Sequence, residues 1–206
     1  MNEDQQGLHK ATFPRYDAIH GAKIEDDISG IDPRLVAKMP LNSAALFNIH
    51  VNNEGRGTEY PFMIAKYEVP GIYRQVIRVV PQDARYIMEA LIFEPMVLKN
   101  TFPKAEFTKL LNEKSVVLAF NIHSKVEGKH HPAIHAKKFI PWAYNACANL
   151  GVNYLLADLR EWSDPYKIYM EELTHNGGNR LVAIEKTFPH PLYTQLGYKL
   201  YPKVHH

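Results

Sequence analysis

Phe47-Asn48-Ile49-His50 recurs as Phe120-Asn121-Ile122-His123, and each copy is followed by Glu-Gly and a basic residue, Glu54-Gly55-Arg56 and Glu127-Gly128-Lys129. Each histidine ends a stretch that reads as a strand. If two such strands lie side by side, both imidazoles enter one cleft. A neutral imidazole there can take a proton from a nucleophile while a protonated one feeds the leaving group. Coincidence, or two strand ends facing solvent, would give the same pattern without chemistry. His130, His131 and His135 form a second concentration close to His123. The i, i+4 spacing of His131 and His135 puts them on one helical face that could hold a metal, although a solvated or phosphate-facing patch fits as well, and no metal site is assigned.

The repeated pair resembles the two-histidine phosphoesterases, which place one histidine on each of two related strands. The resemblance implies hydrolysis of a phosphodiester by His50 and His123. That family has Ser or Thr two residues after each histidine; this chain has Asn52 and Lys125, which leaves the oxyanion donors unassigned.

These residues need elements to position them. Residues 1–40, with Asp26-Asp27, Ser29-Gly30 and Asp32-Pro33, read as an irregular arm laid over a domain spanning 41–206. Residues 43–52 and 60–69 read as a strand hairpin around a 53–57 loop, and 72–80 as a third strand. Pro81-Gln82-Asp83 carries the signals of a helix start, predicting a helix to about Leu91, followed by a short strand over 94–99. A helix is expected over 103–112 with Phe107, Leu110 and Leu111 on one face, and a central strand over 115–123. Pro132 opens a helix running to Leu150, kinked at Pro141 and stopped by Gly151. Strands over 152–159 and 180–186 flank a helix from Ser163 to Leu173, and a short helix over 189–196 leads into a last strand at 198–201. The sum is an α/β (α+β) fold with a mixed, mostly antiparallel sheet flanked by helices.

Leu192-Tyr193-Thr194-Gln195-Leu196-Gly197-Tyr198 resembles the late helix and strand of the GNAT superfamily of acyl-CoA N-acyltransferases, and Ala146 to Leu159 is similar to that family's helix running through Gly into a central strand. Ile77 to Leu91 is similar to its opening strand and helix. The resemblance implies a GNAT-like sheet and transfer of an acyl group from acetyl-CoA or another acyl-CoA to a small-molecule or protein amine. Carried over, Tyr193 donates a proton to the departing thiolate, and Asp158 or Glu161 deprotonates the amine. The family's pyrophosphate loop, a basic residue followed by Gly-x-Gly or Gly-x-Ala, is missing. Gly128, Lys129, His130 and His131 before the Pro132 helix are the nearest substitute, with helix N-terminal amides to hold phosphate. A second register places the cofactor loop at Arg160 to Asp164. Tyr166, Tyr169, Tyr193, Tyr198 and Tyr201 could line an acceptor pocket, fill a core, or grip a partner in a non-enzymatic binding module.

Composition sets bounds. The 206 residues are 46% hydrophobic and 22% charged, which suits a globular domain and excludes collagen, a coiled coil or a wholly disordered chain. A net charge of +2 argues against a dedicated nucleic-acid binder. No apolar run approaches the roughly 18 residues needed to cross a bilayer. The polar start and the single Cys147, which reads as a buried inert thiol, point to a cytoplasmic protein of unspecified oligomeric state.

Overall fold

The computed structural model describes residues 28–53, 56–82, 84, 86–124, 132–156, 164–187, 190, 191 and 194. Six strands form one sheet in chain order: β1 (Ser43–Asn53), β2 (Arg56–Val69), β3 (Tyr73–Pro81), β4 (Tyr86–Phe93), β5 (Val116–Ser124) and β6 (Val152–Leu156). The first five pair antiparallel, and β5 pairs with β6 in parallel. The helices are α1 (Pro33–Lys38), α2 (Lys104–Asn112), α3 (Pro132–Ala146), α4 (Asp164–His175) and α5 (Arg180–Glu185). The fold is a mixed α+β arrangement in which a mostly antiparallel sheet carries helices. No helix among the described residues is long and apolar enough to cross a membrane.

The sheet begins as a four-stranded meander, and strands alternate with helices only after residue 93. The helix expected from Pro81 to about Leu91 is not formed: Pro81 ends β3, and β4 starts at Tyr86. Ala84 takes a positive φ of 50° and its N–H donates to the carbonyl of Pro81, so the chain reverses rather than winding on. Met88, Glu89, Ala90 and Leu91 are good helix formers, but β4 lies between β3 and β5 and pairs with both. Such pairing overrides an intrinsic preference worth a few tenths of a kcal/mol per residue. Residues 94–99 are likewise not a strand: Pro95–Asn100 is a 3-10 helix. Residues 180–186, read as a strand, form α5. The Asn179 side chain accepts from the Val182 N–H and caps it, immediately after Gly177 and Gly178 end α4 with positive φ.

Because successive strand residues point to opposite faces, each strand serves two environments. One face carries Phe62, Ile64, Ile77, Val79, Met88, Ala90, Ile92 and Leu118, all essentially inaccessible, under Phe139, Trp142, Ala143 and Ala146 of α3. Phe139 stacks on Trp142 at 5.9 Å and meets the Phe120 ring edge-on at 6.0 Å. The segment 28–38, a 3-10 turn followed by α1, joins this core through Ile28, Ile31 and Val36. The Trp142 indole N–H donates to the carbonyl of Ile31 at 2.7 Å. The buried Lys66 ammonium donates to the carbonyls of Ala37 and Met39 at the end of α1, and burial lowers its pKa. The opposite face is covered near the amino end of β5 by α2 and the 95–100 turn, where Leu98, Phe107 and Leu110 pack on Val117. Leu111, expected beside them, is exposed.

Cys147 follows α3, fully buried, with the Gln75 amide 4.0 Å from its sulfur. Burial raises its pKa from 9.0 to about 12. The folded protein therefore holds a proton that the unfolded chain releases from pH 9 upward, so this contribution is complete below pH 9 and is lost as pH rises toward 12. Cys147→Ala should flatten the alkaline limb of a stability-versus-pH curve by up to ~4 kcal/mol, and the native thiol should resist a colorimetric thiol reagent until the protein is denatured.

Candidate functional site

The repeated tetrapeptide is resolved by the pleat. Phe47 and Ile49 on β1, like Phe120 and Ile122 on β5, pack against the core under α3. Asn48, Asn121 and His123 fall on the alternate positions, which belong to the other face. Each asparagine meets a glutamate of the neighbouring strand: Asn48 Nδ2 donates to Glu59 Oε2 at 3.2 Å, and Asn121 Nδ2 donates to Glu89 Oε2 at 3.0 Å. The strands carrying the repeat are not side by side. β2, β3 and β4 lie between β1 and β5. Followed across the sheet, the register lines His123 up with Ile87, Val80, Met63 and Leu46, so His50 is displaced from it along the strands as well as across them. The backbone of His50 sits opposite Glu59, and that of His123 opposite Ile87.

Around Asn121 the sheet face carries a cross-strand row that sequence spacing alone does not reveal. Arg78 on β3 lies opposite Glu89 on β4, and Glu89 lies opposite Asn121 on β5. Arg78 Nε donates to Glu89 Oε1 at 2.7 Å, so both carboxylate oxygens have a donor. Glu89 is only 8% exposed, and a polar group so buried needs its hydrogen bonds satisfied within the protein. The guanidinium stands 5.5 Å from the centre of the Tyr67 ring, one diagonal step away on β2. Burial pushes the Tyr67 phenol above its usual pKa, and the nearby Arg78 charge pulls against that shift. Arg78 keeps 40% of its side chain exposed, and besides its Nε bond to Glu89 it acts on the Tyr67 hydroxyl, both through its charge and as a hydrogen-bonding neighbour. His123, half-buried, is two residues further along β5 on the same face.

This row lies toward the carboxyl end of β5. There the chain leaves the strand for residues 125–131 and returns as α3. β5, α3 and β6 form a parallel crossover unit, and its paired register runs from Val116 opposite Val152 to Ala119 opposite Leu156. Gly151, with φ of 68°, makes the helix-to-strand turn expected of it. The similarity of Ile77–Leu91 to an opening strand and helix is not matched by the fold, because those residues form the β3–β4 hairpin. Of the other expected site residues, Gly128, Lys129, His130, His131, Asp158, Glu161 and Tyr193 lie outside the described residues, as does the expected 198–201 strand. A shallow depression of about 430 Å³, lined by Arg74, Leu110, Lys114 and Leu150, lies at the opposite, amino end of β5.

No family model, curated protein or solved structure matches this chain.

If the repeat reflects the two faces of a strand, its two residue types should respond differently to truncation. Phe120→Ala should cost about 3 kcal/mol in urea denaturation through lost packing on Phe139, whereas His123→Ala should stay within about 0.5 kcal/mol of the parent.

Proposed function

We propose that the protein transfers an acyl group from an acyl-coenzyme A to an amine. The observation that supports this reading is the parallel β5–α3–β6 unit set into an otherwise antiparallel sheet. In open sheets containing α/β units, ligands bind outside the carboxyl ends of the parallel strands, where a crossover helix begins. The N–H groups of the first helical turn have no intrahelical acceptors, and the helix dipole favours an anion. α3 is 15 residues long, and the segment leading into it carries Gly128, Lys129, His130 and His131. In this reading, that segment holds the pyrophosphate of the acyl donor.

The remaining roles follow from the chemistry of the step. The amine nitrogen attacks the thioester carbonyl, the C–S bond breaks, the amine loses a proton and the thiolate gains one. Asp158 and Glu161 follow β6 directly in sequence and are the proposed bases; Tyr193, a phenol whose ordinary pKa is near 10, is the proposed acid. Hydrolysis by His50 and His123 acting together has less support, because three strands separate the two residues.

Acetyl-CoA at 100 times its dissociation constant should stabilise the protein by about 2.7 kcal/mol, which for a chain of this size raises the melting temperature by roughly 5–10 °C. No shift with acetyl-, butyryl- or longer acyl-CoA would refute the reading. Tyr193→Phe should leave that shift in place and reduce turnover by about 100-fold or more.

A further inference from the structure

The Arg78–Glu89–Asn121 row is more than a way of satisfying a half-buried charge. Glu89 and Asn121 satisfy each other and the Nε edge of Arg78, and Tyr67 lies against the guanidinium. The guanidinium is therefore held at one edge by Glu89 and flanked by Tyr67, while 40% of the Arg78 side chain stays exposed to take a ligand. A guanidinium fixed in this way is prepared to take a planar oxyanion through two parallel N–H···O bonds. One arginine already offset by Glu89 suits a singly charged carboxylate better than a phosphate dianion. The row also ends on Asn121, in the carboxyl half of β5, on the strand that leads into the segment assigned above to the acyl donor.

We infer that Arg78 binds the carboxylate of the acyl acceptor, so that the acceptor is an amine that also carries a carboxylate, an amino acid, rather than a polyamine or a simple amine. Glu89 and Tyr67 act as positioning residues: they fix the guanidinium and do not touch the ligand. Naming the acceptor class rests on the acyl-transfer reading. The carboxylate site itself rests only on the row.

The test uses the full chain, acetyl-CoA as donor, and the twenty standard amino acids alongside their carboxamides as acceptors, following release of the coenzyme A thiol. Binding of the same amino acids without donor is followed in parallel by ligand-observed saturation-transfer NMR. At least one amino acid should be acetylated while its carboxamide is not. Arg78→Gln should raise the KM for that amino acid about 100-fold and leave the KM for acetyl-CoA unchanged. The Arg78→Gln, Glu89→Gln double variant exchanges the ion pair for two amides, so it removes the cation without stranding a buried carboxylate. It should show the same loss if the single variant fails to fold. Equal use of acids and carboxamides, an unchanged KM in both variants, or no Arg78-dependent NMR signal overturns the inference. Arg78-dependent NMR binding in a protein that no acyl-CoA stabilises would instead refute acyl transfer and leave the carboxylate site standing.

Discussion

A pleated strand shows each residue to the face opposite its neighbour's, and nearly every feature of this protein follows from how β2 to β5 use that rule. One parity supplies Ile64, Ile77, Val79, Met88 and Leu118 to a core closed by α3. The other parity is divided along the strand direction. Near the amino end of β5 it is apolar and lies under α2, with Val117 against Phe107 and Leu110. Toward the carboxyl end it turns polar, with Arg78, Glu89, Asn121 and His123. A one-residue slip of β5 would send Phe120 and Ile122 to the polar face and bury Asn121 and His123 under α3. The register is therefore enforced by both faces at once.

The same rule explains how charge is tolerated in the middle of the sheet. Glu89 sits on β4, paired on both sides, and is nearly buried. Removing a lone carboxylate from water costs far more than one ion pair returns, so a single partner would not suffice. Two donors from two flanking strands fill both oxygens, and Tyr67 shields one face of the cation. On the other side of the sheet Lys66 meets the same problem with a different solution. It has no carboxylate partner among its hydrogen bonds and instead donates to two carbonyls that α1 leaves unsatisfied at its end.

Much of the architecture was legible where one period dominates. The alternation in 43–52, the β-branched run at 72–80 and the continuous apolar stretch at 115–123 each belong to a strand, and Phe107 with Leu110 marked α2. The misreadings have a common cause: short segments whose local preference competes with long-range pairing. Residues 86–93 contain good helix formers but are held between two strands. Residues 180–185 contain Leu-Val-Ala-Ile but follow an asparagine cap and two left-handed glycines. The repeat at His50 and His123 was visible, yet its meaning depended on strand order, which spacing does not encode. The Arg78 row was invisible for the same reason. Its members are 11 and 32 positions apart, and only the register makes them neighbours.

The bond from Trp142 to Ile31 spans 111 positions of chain. On a ribosome, the segment 28–38 emerges long before the helix that covers it. The meander from residue 43 to 93 can pair from local contacts alone, but Ile28, Ile31 and Val36 have no complete burial until α3 has been made. The earliest part of the described chain can meet β2 through Lys66, but its apolar side chains are covered in full only by a helix made much later. The first described residues and a helix made 111 positions later thus share one core. The carbonyl of Ile31 and the indole of Trp142 are where they meet.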